Sequence, residues 1–193
     1  MTEKKDIFFI TGNTHKFAEV LDLFKQADLS YDLKQLDLKP IEIQADSIAK
    51  VALYKLESIK NQINGSYFVE DAGLFVDYPL KGFPGVYSSY VFKTIGNKGI
   101  LKLIKDFKKS IAHFSSCIAL YHESSDKSLV FTGRVDGKIS SKIKGTHGFG
   151  YDPIFIPNER PKKTFGELSK KEKNEISHRG RALIELIEFL RYE

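Results

Sequence analysis

The sequence predicts an α/β fold with a mixed β-sheet. Three observations carry that expectation. The chain opens with a β-rich run, a tight Gly-Asn turn and an apolar pattern at helical spacing. Helical and extended patterns then alternate along its length. Two long β runs joined by a short polar segment mark one hairpin within that alternation.

Asp6-Ile7-Phe8-Phe9-Ile10-Thr11 is the opening strand, Gly12-Asn13 the turn, and Phe17, Val20, Leu21 and Phe24 the inward face of the first helix. A second helical pattern covers residues 47–63, with Ile48, Val51, Ala52 and Ile59 toward a core and Lys50, Lys55 and Lys60 among them. Tyr67-Phe68-Val69 and Leu74-Phe75-Val76 read as two apolar runs interrupted by Glu70-Asp71-Ala72-Gly73. Two acids inside a hydrophobic strand region are costly unless they have partners or a task. Residues 80–85 read as a loop, and residues 86–107 as one or two helices broken near Gly96-Asn97. Residues 112–121 and 128–139 are the hairpin strands, joined by Glu123-Ser124-Ser125-Asp126-Lys127. Ile154-Phe155-Ile156 is a short strand, and an amphipathic helix with Leu183, Ile184, Ile187 and Leu190 on its apolar face ends the pattern. The sequence contains no repeat and no low-complexity tract.

With 193 residues, 41% hydrophobic and 28% charged, the chain has the size and balance of one soluble globular domain, residues 1–193. No apolar run approaches the roughly 20 residues that span a bilayer, and the first residues lack the apolar stretch of a signal peptide. No membrane association is expected, and a cytoplasmic location is. Cys117, the single cysteine, excludes an internal disulfide and a cysteine metal cluster, and its apolar neighbours read it as a buried small hydrophobe. A net charge of +5 suits anionic ligands. Lys162, Lys163, Lys170, Lys171 and Lys173 form the densest basic segment, which suits nucleic acid or a triphosphate. There is no zinc-finger spacing, arginine-rich tail or RNA-recognition aromatic pattern, so nucleic acid is not the expected partner.

Three groups of residues point to chemistry. Thr11-Gly12-Asn13-Thr14-His15-Lys16 lies where a strand gives way to a helix, and free N–H groups at such a junction cradle phosphate. The same residues also fit a plain helix cap on Asn13 or Thr14, and the spacing is not that of a Walker loop. Glu42, Glu70 and Asp71 are the second group. Neighbouring acids on a strand face opposite ways, so one of Glu70 and Asp71 can join Glu42 in holding Mg²⁺, which takes one or two carboxylates plus water and phosphate oxygens. Asp71 in that setting can also accept a proton from attacking water. The third group is His147-Gly148-Phe149-Gly150-Tyr151-Asp152-Pro153, with Lys173 and Ser177-His178-Arg179 following. Glycines flanking an aromatic ring let backbone approach a planar ligand, and cations nearby hold an anion. Phe149 is thus a stacking ring or a core residue beside a glycine turn. Ser169-Lys170-Lys171-Glu172 matches a capping box, and cations in a first helical turn, as His178 and Arg179 would be after Ser177, call for an anion or an acidic neighbour.

In this order the segments resemble the inosine triphosphate pyrophosphatase family, the Ham1-like pyrophosphatases of noncanonical purine nucleoside triphosphates. The resemblance runs through Thr11-Gly12-Asn13 with Lys16 and Glu19, Glu42-Ile43-Gln44, Val69-Glu70-Asp71-Ala72-Gly73-Leu74, residues 82–88, Gly148-Phe149-Gly150-Tyr151-Asp152-Pro153 and Lys173 with Ser177-His178-Arg179. It implies the Ham1/Maf α/β fold: two lobes around a long mixed sheet, flanking helices and a cleft between the lobes. It implies Mg²⁺-dependent hydrolysis of ITP, dITP and XTP to the monophosphate and pyrophosphate, and a homodimer with residues 85–92 as a contact region. By resemblance, residues 11–16 (Thr11, Gly12, Asn13, Thr14, His15 and Lys16) and Lys55 bind the triphosphate. Glu42 and Asp71 hold the metal, with Asp71 as the proton acceptor. Phe149 stacks on the purine, and Gly150, Tyr151, Asp152, Lys173, His178 and Arg179 frame base and sugar. Ala72 departs from the pattern, since many members have serine after the second acid; backbone contacts there survive the change and a hydroxyl contact does not. Two other readings stand beside this one. The related Maf-like pyrophosphatases share the fold but not the paired Phe149-Gly150-Tyr151-Asp152 and Ser177-His178-Arg179 segments, and a basic RNA-binding module would bind without Mg²⁺ and weaken steeply with salt.

Overall fold

The computed structural model describes residues 4–193. The opening apolar run forms β1 (Lys5–Ile10), and α1 (Thr14–Ala27) follows after Asn13, whose side chain accepts the Lys16 N–H at 3.1 Å and closes the first turn. Next come β2 (Tyr31–Leu36), α2 (Ile48–Glu57), β3 (Ser66–Tyr78) and β4 (Phe83–Pro84). The break at Gly96 divides α3 (Ser88–Thr94) from α4 (Gly96–Ile104), as the sequence predicts. The hairpin strands are β5 (Ile111–His122) and β6 (Lys127–Ile139). The chain continues through β7 (Phe155–Pro157), α5 (Lys170–Ile176), with its capping box between Ser169 and Glu172, and α6 (His178–Arg191).

The seven strands lie in the order β2-β1-β3-β5-β6-β7, with β4 also paired to β3. Pairing of β1 with β2 and β3 is parallel, whereas β3 with β4 and β6 with β7 are antiparallel, so the sheet is mixed. Three details differ from the sequence reading. The two apolar runs on either side of Glu70-Asp71-Ala72-Gly73 are one strand: β3 runs unbroken for 13 residues, because the ladder uses backbone groups and the carboxylates find cations. The strand β2 has no counterpart in the sequence reading; Tyr-Asp-Leu-Lys-Gln-Leu alternates weakly, as an end strand with an open side can. On α6 the buried face is Leu183, Leu186, Ile187 and Leu190, while Ile184 points to solvent.

The chain forms two compact units. The first takes the described residues up to Asp71 together with Ser116–Gly133 and Arg179–Glu193; the second takes Ala72–Ser115 and Arg134–His178. Each has its own core. In the first, Phe9 stacks on Phe68 at 4.7 Å, and Val20 and Phe24 of α1 join Leu183 and Leu186 of α6. In the second, Leu74 and Val76 of β3 cluster with Ile100, Phe114, Phe155 and Phe165. Cys117 is buried, and burial, with the negative charges of Asp71 and Glu70, pushes its thiol up to about 12, which fits the expected apolar role.

Leu186 is fully buried and Ile184 is exposed, three residues from Ile187 on the same helix. Leu186→Ala should therefore cost about 2–5 kcal/mol in urea unfolding. Ile184→Ala should stay within about 0.5 kcal/mol of the parent.

Candidate active site

The first unit carries a buried charge network on β3. Glu70 is almost inaccessible, and its carboxylate takes Lys16 Nζ at 2.6 Å on Oε2 and Arg179 Nη2 at 3.1 Å and Ser116 Oγ at 2.6 Å on Oε1. Arg179 also donates through Nη1 to Glu19 at 2.6 Å. Burial alone would raise the Glu70 carboxyl, but Arg179 and Lys16, with hydrogen bonds from Lys16 and Ser116, overcome it and hold the group well below its usual range. Cations at the start of α6 called for an acidic neighbour, and for Arg179 the neighbours are Glu19 and Glu70.

Asp71, next along the strand, belongs to a different cluster. Lys55 Nζ donates to Asp71 Oδ1 at 3.3 Å and to Glu42 Oε1 at 2.7 Å. Lys50 instead pairs with Asp46 at the surface, so α2 turns Lys55 and not Lys50 toward the acids. Burial raises the Asp71 carboxyl; Lys55 and Lys16 pull it down, and the net displacement is upward. Burial opposes the charge on Lys55, while Asp71 and Glu42 more than restore it, so the ammonium is held charged. Two carboxylates gathered on one cation are the donor set of a hard divalent ion whose shell is completed by water and phosphate. Among the described residues no group of three or more His, Cys, Asp or Glu side chains is arranged to hold an ion alone. Glu42 and Asp71 are oxygen donors of the kind a hard divalent cation takes. The oxygens of Glu70 are already engaged.

Thr11 to Lys16 form the junction of β1 and α1. Gln35 Nε2 donates to the Thr11 carbonyl at 2.9 Å, and the Asn13 N–H bonds Thr11 Oγ1 at 3.1 Å. Gly12, Thr14 and His15 lie exposed at the amino end of α1, the positive end of the helix dipole. Asn13 is the cap, so both readings of this segment describe the same turn.

The second unit holds the glycine and aromatic segment. Gly148 and Gly150 adopt positive φ, +72° and +61°, on either side of half-buried Phe149. A Cβ on Gly148 would overlap the Asp152 carboxylate. Asp152 Oδ2 accepts the Phe149 N–H at 2.7 Å and Lys173 Nζ at 2.7 Å, and Nζ stands 4.8 Å from the centre of the Phe149 ring. Lys173 is buried while Lys162, Lys163, Lys170 and Lys171 are exposed, so it is not part of a basic surface as its spacing suggested. Tyr151 is a core residue whose hydroxyl donates to the Ser88 carbonyl at 3.1 Å, and burial pushes its phenol up. His178 stacks on Phe114 at 4.6 Å. Ala72 is half-buried on β3 beside Asp71.

The sequence reading brought Glu19 into a motif without a task and passed over Ser116, Gln35 and Asn97. A serine in an apolar strand and a glutamine in a weak strand carry no local signal, because their partners are distant in the chain.

Comparison with known proteins agrees with this architecture. Residues 7–189 match the Ham1 family. A dITP/XTP pyrophosphatase of Thermococcus kodakarensis is 48% identical over 184 residues, covering 95% of this chain and 96% of its own. The dITP/XTP pyrophosphatase of Pyrococcus horikoshii is 44% identical over 185 residues, covering 96% of each chain. The solved structure of a HAM1 protein from Coxiella burnetii superposes with a TM-score of 0.84 at 29% identity, over 98% of this chain and 100% of that one. The chain belongs to the Ham1 family.

Removing the Glu70 charge should leave Lys16 and Arg179 poorly compensated. Glu70→Gln should lose about 3–5 kcal/mol at neutral pH. Because the folded-state value of Glu70 lies below its ordinary 4.5, its contribution is complete above that pH and drains away as pH falls beneath it. Urea midpoints followed downward from pH 7 should therefore fall more steeply below about 4.5 for the parent than for Glu70→Gln.

Proposed function

We propose that this chain is a Mg²⁺-dependent nucleoside triphosphate pyrophosphohydrolase that converts ITP, dITP and XTP to the monophosphate and pyrophosphate. Acting as one catalytic domain, it clears noncanonical purines from the cytoplasmic nucleotide pool. The observation that carries this reading is the convergence of Glu42, Lys55 and Asp71, an acid, a cation and an acid of raised proton affinity drawn from three separate segments. The names of the relatives agree with the substrate class.

In this reading the amino end of α1, with Lys16 and Lys55, receives the triphosphate. Mg²⁺, held by Glu42 and Asp71, would neutralise charge on the phosphate oxygens. Asp71 accepts a proton from the water that attacks the α phosphorus; the bond to the α-β bridging oxygen breaks, and its electron pair leaves with pyrophosphate. Phe149 stacks on the base, with Gly150, Asp152, Lys173, His178 and Arg179 disposed around base and sugar. Tyr151 supports that segment from the core. Selectivity follows from the 6-oxo group, which accepts a hydrogen bond where adenine donates one, so donors built for it are left unpaired by ATP. Backbone packing against the 2-position excludes the amino group of GTP. A second copy of the chain is the proposed partner, through residues 85–92, where Tyr87, Tyr90 and Phe92 are 47%, 71% and 37% exposed.

Pyrophosphate release from ITP, XTP, GTP and ATP, with and without Mg²⁺, tests this directly. The expected result is Mg²⁺-dependent release from ITP and XTP far above the other two. GTP turnover equal to that of ITP would overturn the packing argument, and no release from any of them would overturn the function. Asp71→Asn should fold and lose turnover by about a hundredfold or more. In the metal-free protein the Asp71 carboxyl should take up its proton above 3.8, the ordinary aspartate value, because burial raises its proton affinity. Light scattering should give twice the 22.0 kDa chain mass, and charged substitution of Tyr90 should halve it.

A further inference from the structure

Asn97 stands apart from every residue considered so far. It is the second residue of α4, and its Nδ2 donates to the Gly150 carbonyl at 3.0 Å across 53 positions of sequence. Gly150 is the residue immediately after Phe149. It needs its left-handed φ for the shape of the backbone alone, since a Cβ there would meet nothing within 4 Å. A peptide in that conformation has many alternatives in solution, so something must select the observed one. On one side Asp152 selects it, accepting the Phe149 N–H at 2.7 Å. On the other side Asn97 holds the carbonyl. The amide of Asn97 also carries a desolvation cost: its Oδ1 is buried and has no hydrogen-bond partner among the described residues. Such an atom is unfavourable, and a leucine of similar size would avoid it. The donor to Gly150 is what the side chain supplies in exchange.

We infer that Asn97 is a positioning residue for purine recognition, fixing the Gly150 carbonyl and thereby the orientation in which the Phe149 ring is presented. This rests on the functional reading above, in which Phe149 receives the base. Asn97 touches no reacting atom in this account. Its loss should weaken the binding of purine nucleotides while leaving the chemical step alone.

Two variants separate this role from a merely structural one. Asn97→Asp keeps the shape but turns an acceptor toward the Gly150 carbonyl. Asn97→Leu keeps the volume and removes both the donor and the unpartnered oxygen. Both should raise KM for ITP by about tenfold and weaken calorimetric binding of IMP by a similar factor. In both, kcat should stay within about twofold of the parent. The Leu variant should unfold at or above the parent's temperature. Parent-like KM and IMP affinity in both variants would overturn the inference, as would a fall in thermal stability with unchanged KM. An active parent with indifferent variants defeats only the role of Asn97; a parent that neither cleaves ITP nor binds IMP defeats the functional reading and this inference together.

Discussion

A carboxylate removed from water persists as a charge only where cations and donors replace its hydration, and Glu70 is that carboxylate here. Lys16, Arg179 and Ser116 supply the replacement. These three come from α1, the start of α6 and β5, so one buried charge ties three distant segments to β3. The arrangement also bears on the surroundings of the neighbouring acid. With Glu70 saturated by cations, Asp71 on the opposite face of the strand is left with Lys55 as its direct partner, and burial keeps its proton affinity high. Adjacent positions on one strand therefore hold two carboxylates displaced in opposite directions.

The second unit repeats the device on a smaller scale. Asp152 and Lys173 form a buried pair at 2.7 Å, and the same carboxylate oxygen fixes the Phe149 backbone. An ion pair that also bonds a peptide group organises a loop as well as neutralising charge. The positive φ of Gly148 is part of this, since a side chain there would displace the carboxylate.

What could be read in the sequence follows from the range of the forces involved. The β1-α1 junction, the break at Gly96, the β5-β6 hairpin and the capping box at Ser169 rest on residues close together in the chain, and each stands where the sequence puts it. Lys50 and Lys55 stand five positions apart, which turns them to different faces of α2, so that Lys55 meets Glu42 and Asp71 while Lys50 meets Asp46. Two acids within an apolar strand region called for partners or a task, but the partners of Glu70 could not be named from the sequence, because Lys16 and Arg179 lie 54 and 109 positions away. Ile184 failed for a simple reason: an apolar residue at the margin of a helix face can sit on either side, and Leu186 fills the core position. Asn97 could be read as part of the helix break, but its bond to Gly150, like that of Gln35 to Thr11, carries no local signal. Their contacts are set by tertiary structure, where polar side chains bond distant carbonyls.

The division of labour between Glu70 and Asp71 is best tested by following their carboxyl carbons by NMR in isotope-labelled protein as pH is lowered, with Glu70→Gln and Asp71→Asn spectra providing the assignments. The account predicts that Asp71 titrates above the ordinary aspartate value of 3.8 and that Glu70 remains ionised well below the ordinary glutamate value of 4.5. A Glu70 that takes up its proton first, with Asp71 ionised beneath it, would contradict the account and exchange the roles of the two acids.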